Sequence, residues 1–185
     1  MAKLTDYSGK FDPEFSHDKF KRETLIKLLK AYGEYLLRID GYWYLTVMNK
    51  LGNDVAFDCD VNVWEGKLLL YDLKLTTSAL NIHGDNVVTV MKYMQASPWT
   101  WVYEMDLDIK NDDHAIVTYH TCPTLAAIEQ EGTGREKLIC QDLDTKLYGM
   151  IAHYFNPNIK ITGLKVPPRT NYSDCCCQWE YKLER

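Results

Sequence analysis

The chain has 185 residues, 46% of them hydrophobic, 25% charged and 12% aromatic, with a formal net charge of -5. A single chain of that length buries roughly 70% of its unfolded surface in one core, and its acidic balance excludes the basic stripe of a nucleic-acid binder. No run of ~18 apolar residues exists to span a membrane, and no apolar leader segment opens the chain, so a cytoplasmic protein is expected.

Residues 1–16, with Gly9 and Pro13 and few periodic apolar positions, read as an irregular arm; residues 17–185 read as one α+β domain, helical over 17–97 and mixed over 98–185. A first long helix is expected from Ser16 or Asp18, either of which can accept from the orphan N–H groups of a first turn. Leu25, Leu28, Leu29, Tyr32, Leu36 and Ile39 recur at helical spacing. The pattern continues past a possible kink at Gly41 to a stop at Gly52. The basic cluster around Lys19, Lys21, Arg22, Lys27 and Lys30 is expected to be a solvated face of this helix.

Asn53 or Asp54 can cap a second helix through Ala56, Cys59 and Val63 that Gly66 interrupts, and Asp85 a third through Val87, Val88, Met91 and Met94, ended by Pro98. The period then changes to two: Trp101 to Ile109 and Ala115 to Tyr119 read as a hairpin turning at Asn111-Asp112-Asp113. Thr124 can cap a short helix to Glu131. The Gly132-Thr133-Gly134 that follows lacks the context of a phosphate loop. A helix from about Asp142 to Tyr154 and strands from Ile159 to Val166 and Gln178 to Leu183 complete the chain. The expected fold is therefore helices packed on a mainly antiparallel four-stranded sheet.

Six cysteines in a reducing compartment suggest thiols or metal ligands rather than disulfides. Cys122, Cys140 and Cys177 fall at element ends that can converge on one sheet edge. With His120 or water as a fourth ligand they suit zinc, with iron–sulfur ligation a lesser alternative. No Cys-x-x-Cys pair supports this by spacing, so buried inert thiols remain open. So does a Cys122 nucleophile with His120 or His153 as base and Glu180 or Asp144 orienting it. Cys59 reads as core, Asp58 and Glu65 as solvated acids. Tyr42, Trp43, Trp64 and Trp101 are candidate walls of an apolar ligand pocket.

Asp40-Gly41-Tyr42-Trp43-Tyr44, Val63-Trp64-Glu65, Cys122-Pro123, Cys140, Asn156-Pro157, Pro167-Pro168 and Cys177-Gln178-Trp179-Glu180-Tyr181 occur in an order that resembles an uncharacterised family of small cytosolic bacterial and archaeal proteins. That family is similar to the L-2-amino-thiazoline-4-carboxylic acid hydrolase family and, more distantly, to 4-vinyl reductase domains. The resemblance covers about residues 20–184 and implies an α+β ligand-binding domain with the family cysteines at Cys122, Cys140 and Cys177. An acid expected after the first aromatic cluster is absent, since Met48 and Asn49 stand there. The leading expectation is a small-ligand-binding domain with a cysteine-based metal site. The alternatives are hydrolysis of a C–N or C–S bond in a small cyclic amide-like substrate, and a homodimeric interaction module joined through the first helix.

Overall fold

A computed structural model describes residues 3–185. Its helices are α1 (Arg22–Leu51), α2 (Asn53–Val63), α3 (Leu69–Leu80), α4 (Val87–Ala96), α5 (Pro123–Glu131) and α6 (Asp144–Phe155). The strands are β1 (Glu104–Asn111), β2 (His114–Thr121), β3 (Ile159–Lys165) and β4 (Cys177–Leu183). They form one antiparallel sheet in the order β1-β2-β4-β3. The α+β fold expected from the sequence is the fold observed. No helix among the described residues is long and apolar enough to cross a membrane.

The sheet has one inner face. Ala115, Val117 and Tyr119 on β2 and Trp179 and Tyr181 on β4 are buried, and the register sets Val117 opposite Trp179 and Ala115 opposite Tyr181. Side chains alternate across a strand, so the residues between them turn to the other face. There His114 pairs with Glu180 and Gln178 donates to Thr118. The inner face packs against Leu69 and Leu73 of α3, Val87, Val90, Met91 and Met94 of α4, and Ile151 and Ala152 of α6.

Several boundaries differ from the sequence reading. α1 starts at Arg22, because the Ser16 hydroxyl donates to Asp18 within a short 3-10 stretch instead of capping a helix. Gly41 does not break α1, and Gly52 ends it at φ 94°, a conformation open to glycine. Asn86, not Asp85, caps α4: its Oδ1 accepts from the Thr89 N–H at 3.0 Å. Trp101 belongs to a 3-10 turn (Pro98–Val102) that α1 packs on, so β1 begins later than its alternation suggests.

Two π-helical stretches, Trp64–Leu68 before α3 and Lys137–Leu143 before α6, occupy the interruption at Gly66 and the segment that holds Cys140. α1 buries only Gly33 and Tyr44. Tyr32, Tyr35, Ile39 and Tyr42 are exposed along it, and a homodimer through this helix would cover them.

Candidate functional site

Where the inner face of the sheet meets the helices, the protein forms a partly open cavity of about 170 Å³. The sequence brings chemistry to it from every side. β2 ends at Thr121, and Cys122 turns to cap α5, its Sγ accepting from the Leu125 N–H at 3.3 Å. Pro123 follows at the first helical position, where it forfeits no hydrogen bond. Cys177 opens β4 opposite Tyr119 on the inward register, and Cys140 arrives on the π-helical stretch. All three sulfur-bearing residues line the cavity, and so does Cys176. Cys122, Cys140 and Cys177 thus share the wall of one cavity.

The loop between β3 and β4 is clamped over this wall. Arg169 donates to both oxygens of Glu129 on α5, at 2.8 and 2.5 Å, and Gln141 Nε2 donates to the Pro167 carbonyl at 2.7 Å. Cys176 Sγ donates to the His120 carbonyl at 3.3 Å.

The other expected site residues disperse. The His120 side chain falls on the outer face of the sheet by the two-residue alternation of β2. There its Nε2 meets Asp106 Oδ2 at 2.8 Å, and it is not a wall of the cavity. His153 is exposed and Glu180 is engaged by His114, so of the groups expected around Cys122 only Asp144 shares its cavity, and neither histidine does. Among the four aromatic candidates, Trp64 lines the cavity. Tyr42 and Trp101 line a larger neighbouring groove of about 930 Å³, and Trp43 lines neither. The groove and the cavity share Leu37, Asp40, Asp60, Thr124 and Ile139 as common wall. Cys59 and Cys175 lie elsewhere.

Sequence reasoning weighed Asp144 as an orienting group and Asp40 as an acid beside aromatic rings, but it missed Asp60 and the meeting of the three acids in one cavity. Asp40, Asp60 and Asp144 are its charged wall residues, and no Lys, Arg or His side chain lines it. Burial, reinforced by the charge of Asp40, pushes Asp60 up to about 7, while the Trp64 indole opposes the rise. Burial and the charge of Asp60 push Asp144 up to about 7. Burial raises Asp40 too, again opposed by Trp64.

The signal was available: Ala56, Asp60 and Trp64 recur at four-residue spacing, as do Cys140, Asp144, Tyr148 and the neighbouring Leu147 and Ile151. A lone acid inside an apolar helical stripe is a buried acid.

The thiols respond in the same direction. Burial pushes Cys122 up to about 12, opposed by the Leu125 N–H that its sulfur accepts from. Burial and then the carboxylate of Asp144 raise Cys140; burial, opposed by the Trp179 indole, raises Cys177. Desolvation penalises charge, so the site holds neutral thiols beside carboxyls poised near neutrality. Rings complete the wall: Trp64 meets Trp99 edge-on at 4.7 Å, and Tyr119 lies between Tyr103 at 5.6 Å and Tyr148 at 6.2 Å. Among the described residues, no three His, Cys, Asp or Glu side chains stand together at metal-ligand spacing.

No curated protein and no solved structure matches the chain. A family of unknown function, DUF6125, matches residues 18–183, nearly the whole chain, and the chain belongs to that family.

Proposed function

We propose that this chain is a small-ligand-binding protein and that the thiol- and carboxyl-lined cavity is its site. The observation that carries this reading is Asp144. Its half-buried carboxyl stands on the wall of a 170 Å³ cavity and makes no hydrogen bond to another described residue. A ligand placed in the cavity would supply the hydrogen-bond partner that this carboxyl lacks. The volume suits a small ring compound, since an engineered cavity of roughly 150 Å³ takes benzene.

Titration calorimetry with benzyl alcohol tests the reading against a variant, Leu147→Trp, that fills the space. Uptake by the native chain, lost on filling, is the expected result. No heat of binding at millimolar probe would sink it.

A second reading places zinc on Cys122, Cys140 and Cys177, favoured by the meeting of those three thiols on one wall. A cation would deprotonate them and find three acids nearby. The sulfurs would have to draw inward, since ligand spacing is not met. Metal content of protein purified without added metal or chelator decides this. About one zinc per chain, lost in a triple Cys→Ser variant, supports the site, and metal-free protein with freely titrating thiols removes it.

The hydrolase suggested by resemblance to the L-2-amino-thiazoline-4-carboxylic acid hydrolase family draws support from Cys122 alone. Its histidine base stands on the other face of the sheet, and the thiol is held neutral.

A further inference from the structure

Building on the small-ligand reading, the geometry points to a small organic ammonium ion with an apolar body as the ligand of the cavity. Three features of the wall carry the choice of charge. Its ionisable side chains are carboxyls, thiols and phenols, each neutral or negative, and no cationic side chain lines it. Asp144 and Asp60 converge from different helices, α6 and α2, close enough for the charge of Asp60 to be felt at Asp144. Trp64 stands near both Asp40 and Asp60 and eases their rise, whereas Asp144 has no such neighbour. An N–H donor is therefore lacking at one carboxyl, and an anionic group placed there would face repulsion from both.

The rest of the wall suits the body of such a ligand. Trp64 and Trp99 on one side and Tyr103, Tyr119 and Tyr148 on another present ring surface, whose negative faces attract a cation most strongly where water is excluded. Leu69, Met94 and Leu143 add aliphatic wall. An ammonium group hydrogen-bonded to Asp144 with its hydrocarbon portion against the rings satisfies the orphan carboxyl and the apolar surface together.

The test compares three probes of nearly equal size on the native full-length chain by calorimetry: benzylammonium, benzyl alcohol and benzoate. Benzylammonium is expected to bind at least about tenfold more tightly than benzyl alcohol, and benzoate more weakly than both. In Asp144→Asn, an isosteric change, the benzylammonium affinity should fall about tenfold while that for benzyl alcohol stays within about twofold. Should that variant not fold, Asp60→Asn carries the same comparison from the facing helix.

Benzyl alcohol binding as tightly as benzylammonium, or a uniform loss of both in the variant, would overturn the ammonium assignment and leave the small-ligand reading standing. A preference for benzoate, as a zinc ion on the thiols would produce, would also overturn it. No binding of any probe removes both.

Discussion

The Tyr93 hydroxyl donates to Asp72 Oδ2 at 2.6 Å in the middle of the helical layer, tying α4 to α3 directly behind the cavity. The same carboxyl accepts from the Ser97 hydroxyl at 3.1 Å and, through its other oxygen, from Thr76 at 2.9 Å. Asp72 is thus a buried carboxyl whose partners all come from the protein, the opposite of Asp144. Tyr93→Phe removes one donor of three and should cost about 1–2 kcal/mol. Asp72→Ala leaves three hydroxyls facing a void and should cost about 3 kcal/mol. Urea midpoints at constant m value measure both; equal, negligible losses would show that the network does not hold the two helices.

The carboxyl of Asp60 supplies a pH dependence of stability. Its folded pKa of about 7 lies above the ordinary carboxyl value of 3.8, so between those two pH values the folded chain holds a proton that the unfolded chain has lost. Stability from this group is complete below pH 3.8, declines as pH rises, and is gone above about 7. The expected loss is about 2 kcal/mol, less than the roughly 4 kcal/mol a fully dry carboxyl with that displacement would give. Asp60→Asn should flatten the profile in this window. Identical slopes for the native chain and the variant between pH 4.5 and 7 would refute it.

Periodicity alone located the sheet. The alternation through Met105, Leu107 and Ile109, the hairpin turn at Asp112-Asp113 and the aromatic alternation of Trp179 and Tyr181 are local signals, and the strands follow them. Trp101 misled because an aromatic beside a strand reads as its first residue, whereas Pro98 opens a 3-10 turn that carries Trp101 against Gly33 on α1. His120 misled for a different reason. It sits two residues from Cys122, which a continuing strand would place on the same face, but β2 ends at Thr121 and Cys122 turns inward to cap α5 while His120 stays on the outer face. The π-helical stretches at Trp64 and Cys140 have no single-residue signature, and they set which side chains reach the cavity.

The clamp between Arg169 and Glu129 should behave as a largely desolvated pair, with side chains 14% and 12% exposed. Arg169→Lys keeps the charge and loses the two-pronged geometry, and is expected to cost about 1–2 kcal/mol. Glu129→Gln strands the guanidinium and should cost about 3 kcal/mol. A double-mutant cycle with Arg169→Met and Glu129→Met reads the coupling. A coupling energy near zero would make the pair an ordinary surface contact and leave the loop bearing Cys176 held by Gln141 and the backbone.

Two glycines of α1 give opposite expectations from the same substitution. A Cβ at Gly33 would stand 2.8 Å from the Cβ of Trp101 and 3.2 Å from the Pro98 carbonyl oxygen, neither of which is the yielding end of a side chain. A Cβ at Gly41 would meet nothing within 4 Å. Alanine gains about 1 kcal/mol over glycine in a helix interior, so Gly41→Ala should stabilise by about 0.5–1 kcal/mol. At Gly33 that gain is outweighed, because relieving the clash means lifting α1 from the Pro98–Val102 turn; Gly33→Ala should destabilise by about 1–2 kcal/mol. Because Leu37 is a wall of both groove and cavity beside this contact, the same lift should weaken benzyl alcohol uptake in Gly33→Ala. If both variants gain stability, α1 does not seat on the turn as closely as this geometry requires.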